Sequence, residues 1–112
     1  MTRESRLGEL EELVLLSVLR LGERADGGSV RDELASEAGR SVSVSTVYVT
    51  LMRLEEKGFA PAWKGEPTPE RGGKARRMYA VTEEGVGALE AVRAVRDHLW
   101  SGVDAASEAA GG

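Results

Sequence analysis

Two groups of side chains in this sequence could do chemistry, and both suit the holding of a polyanion better than catalysis. The first is a run of hydroxyls with one cation: Ser43, Ser45, Thr46, Tyr48, Thr50 and Arg53. Hydroxyls donate to phosphate oxygens and base edges, and a guanidinium reaches phosphate. The second is Arg71, Lys74, Arg76 and Arg77, within and just after a stretch that also holds Pro67, Pro69, Gly72 and Gly73. Cations there would release counterions from a nucleic-acid backbone, and the glycines would let the chain approach it closely.

Other chemistries find little support. The chain has 112 residues and no cysteine, which excludes disulfides, thiolate metal sites and a cysteine nucleophile. His98 is the single histidine, so neither a histidine-rich zinc site nor a serine–histidine–aspartate triad is expected. No catalytic residue, metal or cofactor is implied. No apolar run approaches the roughly 20 residues of a membrane span. The start, with Arg3, Glu4, Arg6, Glu9, Glu11 and Glu12, lacks the apolar core of a signal peptide, so a cytoplasmic location is the expectation.

The formal charge of −4 would argue against nucleic acid, but it is unevenly spread. Residues 40–80 hold eight basic and four acidic residues, a net of +4, and the rest holds 7 basic and 15 acidic, a net of −8. Such a basic middle between acidic ends suits a surface that faces a polyanion.

Periodicity supplies the elements that must carry these groups. A first helix over residues 7–21 is apolar on more than one face, through Leu10, Leu13 and Val14 and also Leu15, Leu16, Val18 and Leu19, and so is a central core helix or meets a second partner surface. Residues 25–28 read as a turn, followed by a second helix over about residues 30–38, capped by Ser29 and stopped at Gly39. Ser43 opens a third helix, with a core stripe of Val44, Val47, Leu51 and Leu54 and a stop at Gly58. The hydroxyl run and Arg53 occupy its other flank. Two helices joined by a short link form a helix-turn-helix.

Alternation then replaces the helical period. Residues 59–64 and 76–81 read as two strands of a hairpin, joined by a turn over residues 65–74. Pro61 makes the first strand an edge or an irregular one. Trp63 is expected to cover the base of the hairpin, and Tyr79 to belong to the core. Thr82 caps the last helix, whose seam of Leu89, Val92, Leu99 and Val103 is interrupted only by Arg96. Three helices and a hairpin make a winged helix-turn-helix: mainly α, with a small β-hairpin and a C-terminal dimerisation helix. The expected domains are residues 1–82 for nucleic-acid binding, 83–103 for dimerisation, and a disordered tail over 104–112.

Three stretches carry a resemblance to the PadR family of bacterial transcription regulators: Leu7-Gly8-Glu9-Leu10-Glu11-Glu12, then VYVTLMRLEEKG from Val47 to Gly58, then PERGGKARRMYAVT from Pro69 to Thr82. The resemblance runs to about Leu89. It implies a dimeric DNA-binding regulator, usually a repressor, dimerised by its last helix, without catalysis. It places the family's recognition-helix tyrosine at Tyr48 and its basic wing at Lys74, Arg76 and Arg77. The short ending is similar to the compact branch of the family. Where members often have Ala-Tyr-Gly, this chain has Ala25-Asp26-Gly27. Any contact of that tyrosine is lost, and an acid near DNA is expected to repel phosphate.

Ser43, Ser45, Thr46, Tyr48, Thr50, Arg53, Arg71, Lys74, Arg76 and Arg77 are therefore the candidate DNA contacts, with packing at the edge of the core stripe as the other reading of Tyr48. Leu89, Val92, Arg96, Leu99 and Val103 are the candidate dimer interface. Trp100, beside that seam, either packs in the interface or stacks a small flat hydrophobic effector. The partners expected are a palindromic double-stranded operator and a second copy of the chain, and no membrane. The alternative is a winged-helix module that binds protein without DNA.

Overall fold

The computed structural model describes residues 6–67 and 75–111. Helix α1 runs Glu9–Leu21, two residues shorter at its start than expected. Its first turn is held by the Glu11 carboxylate, which accepts from the Gly8 N–H at 2.7 Å and from Lys57 Nζ at 2.8 Å. Val14, Leu15 and Val18 are buried, while Leu16 and Leu19 on its second face stay exposed.

Helix α2 covers Gly27–Glu37. It starts three residues before the expected point because Asp26, not Ser29, is its cap: the carboxylate accepts from the Ser29 N–H at 2.8 Å. The residues read as a turn are thus the cap and first turn of the helix. Gly27 is buried against the ring of Tyr48, whose atoms occupy the place a Cβ would take.

Helix α3, Val44–Glu56, is capped by the Ser43 hydroxyl, which accepts from the Thr46 N–H at 3.1 Å. Its core stripe is Val47, Leu51 and Leu54, all fully buried. Val44, expected in that stripe, is exposed, since the first turn projects past the packed face. Gly58 closes the helix with φ of 80°, a left-handed value that costs glycine nothing. The Phe59 and Ala60 N–H groups then both donate to the Leu54 carbonyl and turn the two side chains into the core.

That turn delays the hairpin. Strand β1 is Ala62–Pro67 and β2 is Ala75–Tyr79, so β1 begins and ends three residues later than the alternation predicts. They pair antiparallel as Ala62↔Tyr79, Trp63↔Met78 and Lys64↔Arg77, with an irregularity before Pro67↔Ala75. Tyr79 is buried as expected. Trp63, expected to cover the base of the hairpin, is 44% exposed, while Phe59 and Met78 are buried. A bridge between Asp26 and Met78, with the Tyr79 N–H donating to the Ala25 carbonyl at 2.9 Å, joins β2 to the start of α2.

Helix α4, Glu83–Gly111, is opened by Thr82, whose Oγ1 accepts from the Gly85 N–H at 3.0 Å. It continues through the segment expected to be a disordered tail. Alanine, present here at 105, 106, 109 and 110, has the highest intrinsic helix propensity. Leu89 is buried in the chain's own core, so it is not free for the dimer seam. Three helices packed around one core and followed by a hairpin make the expected winged helix-turn-helix, with α4 extending from it.

Candidate nucleic-acid interface

The outward face of α3 holds Ser45, Val49 and Met52 in a stripe opposite the buried Val47, Leu51 and Leu54, with Thr46 and Arg53 along one side. Ser43, Ser45 and Thr46 form an exposed hydroxyl cluster: Ser43 Oγ lies 3.1 Å from Ser45 Oγ and donates to Thr46 Oγ1 at 2.9 Å. Arg53 is exposed and forms no ion pair among the described residues.

Two of the sequence candidates on this helix have other duties. Thr50 is 4% exposed, and its hydroxyl donates to the Thr46 carbonyl at 2.8 Å, so it is a satisfied core threonine rather than a surface donor. Tyr48 is half-buried against Gly27, which favours the packing reading of its ring.

Arg76 and Arg77 also turn back into the protein. The Arg76 Nε donates to Asp26 Oδ2 at 2.6 Å, and its Nη2 pairs with the same oxygen. Arg77 donates from Nη2 to Glu55 at 3.0 Å and from Nε to the Tyr79 hydroxyl at 3.0 Å, with its guanidinium 5.8 Å from the Tyr79 ring centroid. Both therefore fasten the wing to the helices. Arg71 and Lys74 lie outside the described residues. Arg40 and Lys57 are engaged as well, with Glu9 and Glu11. Of the six described cations in the basic middle, four are thus matched by acids of the fold. Lys64 on β1 is exposed with no ion pair among the described residues, and sequence reasoning missed it.

Asp26 is turned into the protein and not toward solvent. It is 2% exposed. Burial pushes its carboxyl up, but the Ser29 N–H and hydroxyl and the Arg76 guanidinium outweigh that and hold it below the usual aspartate range. Glu11 behaves alike: burial raises it, while the Gly8 N–H and Lys57 bring it down. Tyr79 is raised, chiefly by burial.

On α4, Arg96 Nη2 donates to Glu12 at 2.9 Å and clips the helix to α1 within the chain rather than serving a seam. Val92 is half-buried, and Leu99, Val103 and Trp100 are exposed by 63%, 55% and 64%. Trp100 lines a groove of about 470 Å³ with Leu16 and Leu19 of α1. The other flank of α4 carries a wider groove of about 950 Å³, lined by Leu7, Val92, Val95 and Leu99. Among the described residues there is no cluster of acids and histidine fit for a metal ion, and no helix long and apolar enough to cross a membrane.

Residues 15–91 match the family described as Transcriptional regulator PadR-like. The chain belongs to that family. Three PadR-family neighbours of known structure are similar to it. A PadR-like transcription factor from Bacteroides fragilis is 25% identical with a TM-score of 0.71, over 85% of this chain and 86% of its own. A PadR family regulator from Eggerthella lenta is 31% identical with a TM-score of 0.65, over 89% and 87%. Bacillus subtilis PadR, solved in complex with operator DNA, is 25% identical with a TM-score of 0.62, over 73% of this chain and 45% of its own. No curated protein matches the sequence significantly. Membership of the PadR-like family makes this chain a DNA-binding transcriptional regulator and not an enzyme.

Proposed function

We propose that this PadR-family chain represses transcription as a cytoplasmic homodimer whose two α3 helices enter major grooves of a palindromic operator, with half-sites about one helical turn or a multiple apart. The observation that carries the reading is the outward face of α3, where Ser45, Thr46 and Arg53 serve no core. The Bacillus subtilis neighbour, solved on operator DNA, supports it. The dimer reading rests on the apolar grooves flanking α4, with Val95, Leu99, Trp100 and Val103 in place of part of the seam expected from sequence. A flat hydrophobic effector stacked on Trp100 would change the angle between the two copies and release the operator. Quenching of Trp100 emission by the ligand, lost in Trp100→Phe, tests that step.

The internal matching of Arg40, Lys57, Arg76 and Arg77 favours a second reading, a winged-helix module that binds protein and not DNA. Binding of fluorescent duplexes across a salt series separates the two. Repression by DNA binding requires tight binding at low salt, a steep loss as salt rises, and a slope reduced by about 1 in Arg53→Ala and in Lys64→Ala. No binding at low salt overturns it.

A further inference from the structure

Val49 and Met52 are 48% and 55% exposed, at the centre of the outward face of α3. The fold makes no use of them, since the core takes Val47, Leu51 and Leu54. Scattered surface hydrophobics need no explanation. These two, however, lie three residues apart on one stripe. They are bordered by the hydroxyls of Ser45 and Thr46 and by the exposed Arg53, groups that suit phosphate and base edges. A surface that is cationic and hydroxyl-rich at its margins and apolar at its centre fits one feature of duplex DNA. In the major groove guanine, adenine and cytosine present donors and acceptors, and thymine alone adds an apolar group, its C5-methyl.

We infer that Val49 and Met52 read thymine by seating its C5-methyl, and that each half-site carries neighbouring thymines beneath the middle of α3. The inference deepens the operator-binding reading above and rests on it. The spacing suits it: three residues advance about 4.5 Å along a helix, against about 3.4 Å between stacked bases of one strand. Val49 is β-branched and stiff at χ1, so it presents a fixed surface and carries most of the discrimination. Met52 is flexible and adapts to the neighbouring step.

The test uses the full chain and a duplex selected by it from a randomised library. Each thymine of that duplex is replaced in turn by deoxyuridine, which removes the methyl and leaves every hydrogen-bonding edge in place. One or two positions per half-site lose about fourfold in affinity, the worth of one buried CH2 group. In Val49→Ala, whose exposed site leaves the fold intact, the strongest of those positions becomes indifferent to the methyl. Selected duplexes whose thymines all tolerate deoxyuridine overturn the methyl contact and leave DNA binding standing. So does Val49→Ala with unchanged methyl sensitivity at every position. Failure to bind any duplex at low salt overturns both readings, and points to a protein partner for this face.

Discussion

Replacing Asp26 by Asn removes a negative charge and little else, because the amide keeps the shape and an oxygen able to cap α2. What is lost is the pairing with Arg76, whose partner carboxylate is 3% exposed. Breaking a fully buried ion pair from one side costs about 3–5 kcal/mol. Here the guanidinium is 33% exposed and can turn to water, which recovers part of the loss. The expected cost of Asp26→Asn is about 2 kcal/mol, below that fully buried range. Asp26→Ala also deletes the cap, for about 1 kcal/mol more. In a chain of this size these correspond to falls in Tm of about 8 and about 12 °C. Urea denaturation and thermal melts read both, with the urea slope unchanged if only stability moves. The sign with pH is fixed, because the folded carboxyl titrates below its unfolded value of about 3.9. Its contribution is complete above that value and is lost as pH falls through the folded pKa. The gap between wild type and Asp26→Asn therefore closes in acid. A gap absent at neutral pH, or one that stays constant down to about pH 3, refutes the pairing as a source of stability.

Gly27→Ala sets a methyl into the ring of Tyr48 and should cost about 1–3 kcal/mol in urea denaturation, most of it recovered when Tyr48→Ala is added. Leu99→Asp on the exposed face of α4 should turn a dimer into a monomer by sedimentation with little change in fold, as Leu99 is 63% exposed. Leu89→Ala, within the chain's own core, should instead cost about 2–4 kcal/mol of stability.

What the sequence disclosed was local. Gly39 and Gly58 mark the ends of two helices in the sequence, and both have positive φ. Thr82 caps α4 as expected. These signals work because a cap or stop acts within four residues of itself. Pairings distant in sequence are of a different kind. Counting charge by position does not show that Arg76 and Arg77 have acid partners, because these lie 50 and 22 residues away in the chain and only the closing of the hairpin brings them near. Arg96 and Glu12 are 84 apart. Thr50 spends its hydroxyl on the Thr46 carbonyl one turn back, a bond that leaves no trace in the pattern of residue types. The alanine-rich ending reads as a tail because it lacks bulky apolar residues, yet alanine has the highest helix propensity and α4 runs on to Gly111.

The bond from Tyr79 to Ala25 and the bridge from Met78 to Asp26 give β2 a neighbour on each edge at the foot of the wing. A two-stranded ribbon alone is barely stable in water, and its edges invite pairing with other chains. Here the second edge of β2 is closed by the residue that also caps α2. To expose the Tyr79 amide, the start of α2 must come undone with it. Its amide hydrogen should therefore exchange with solvent as slowly as those of the helical core, and the foot of the wing and the helix-turn-helix should open as one cooperative unit.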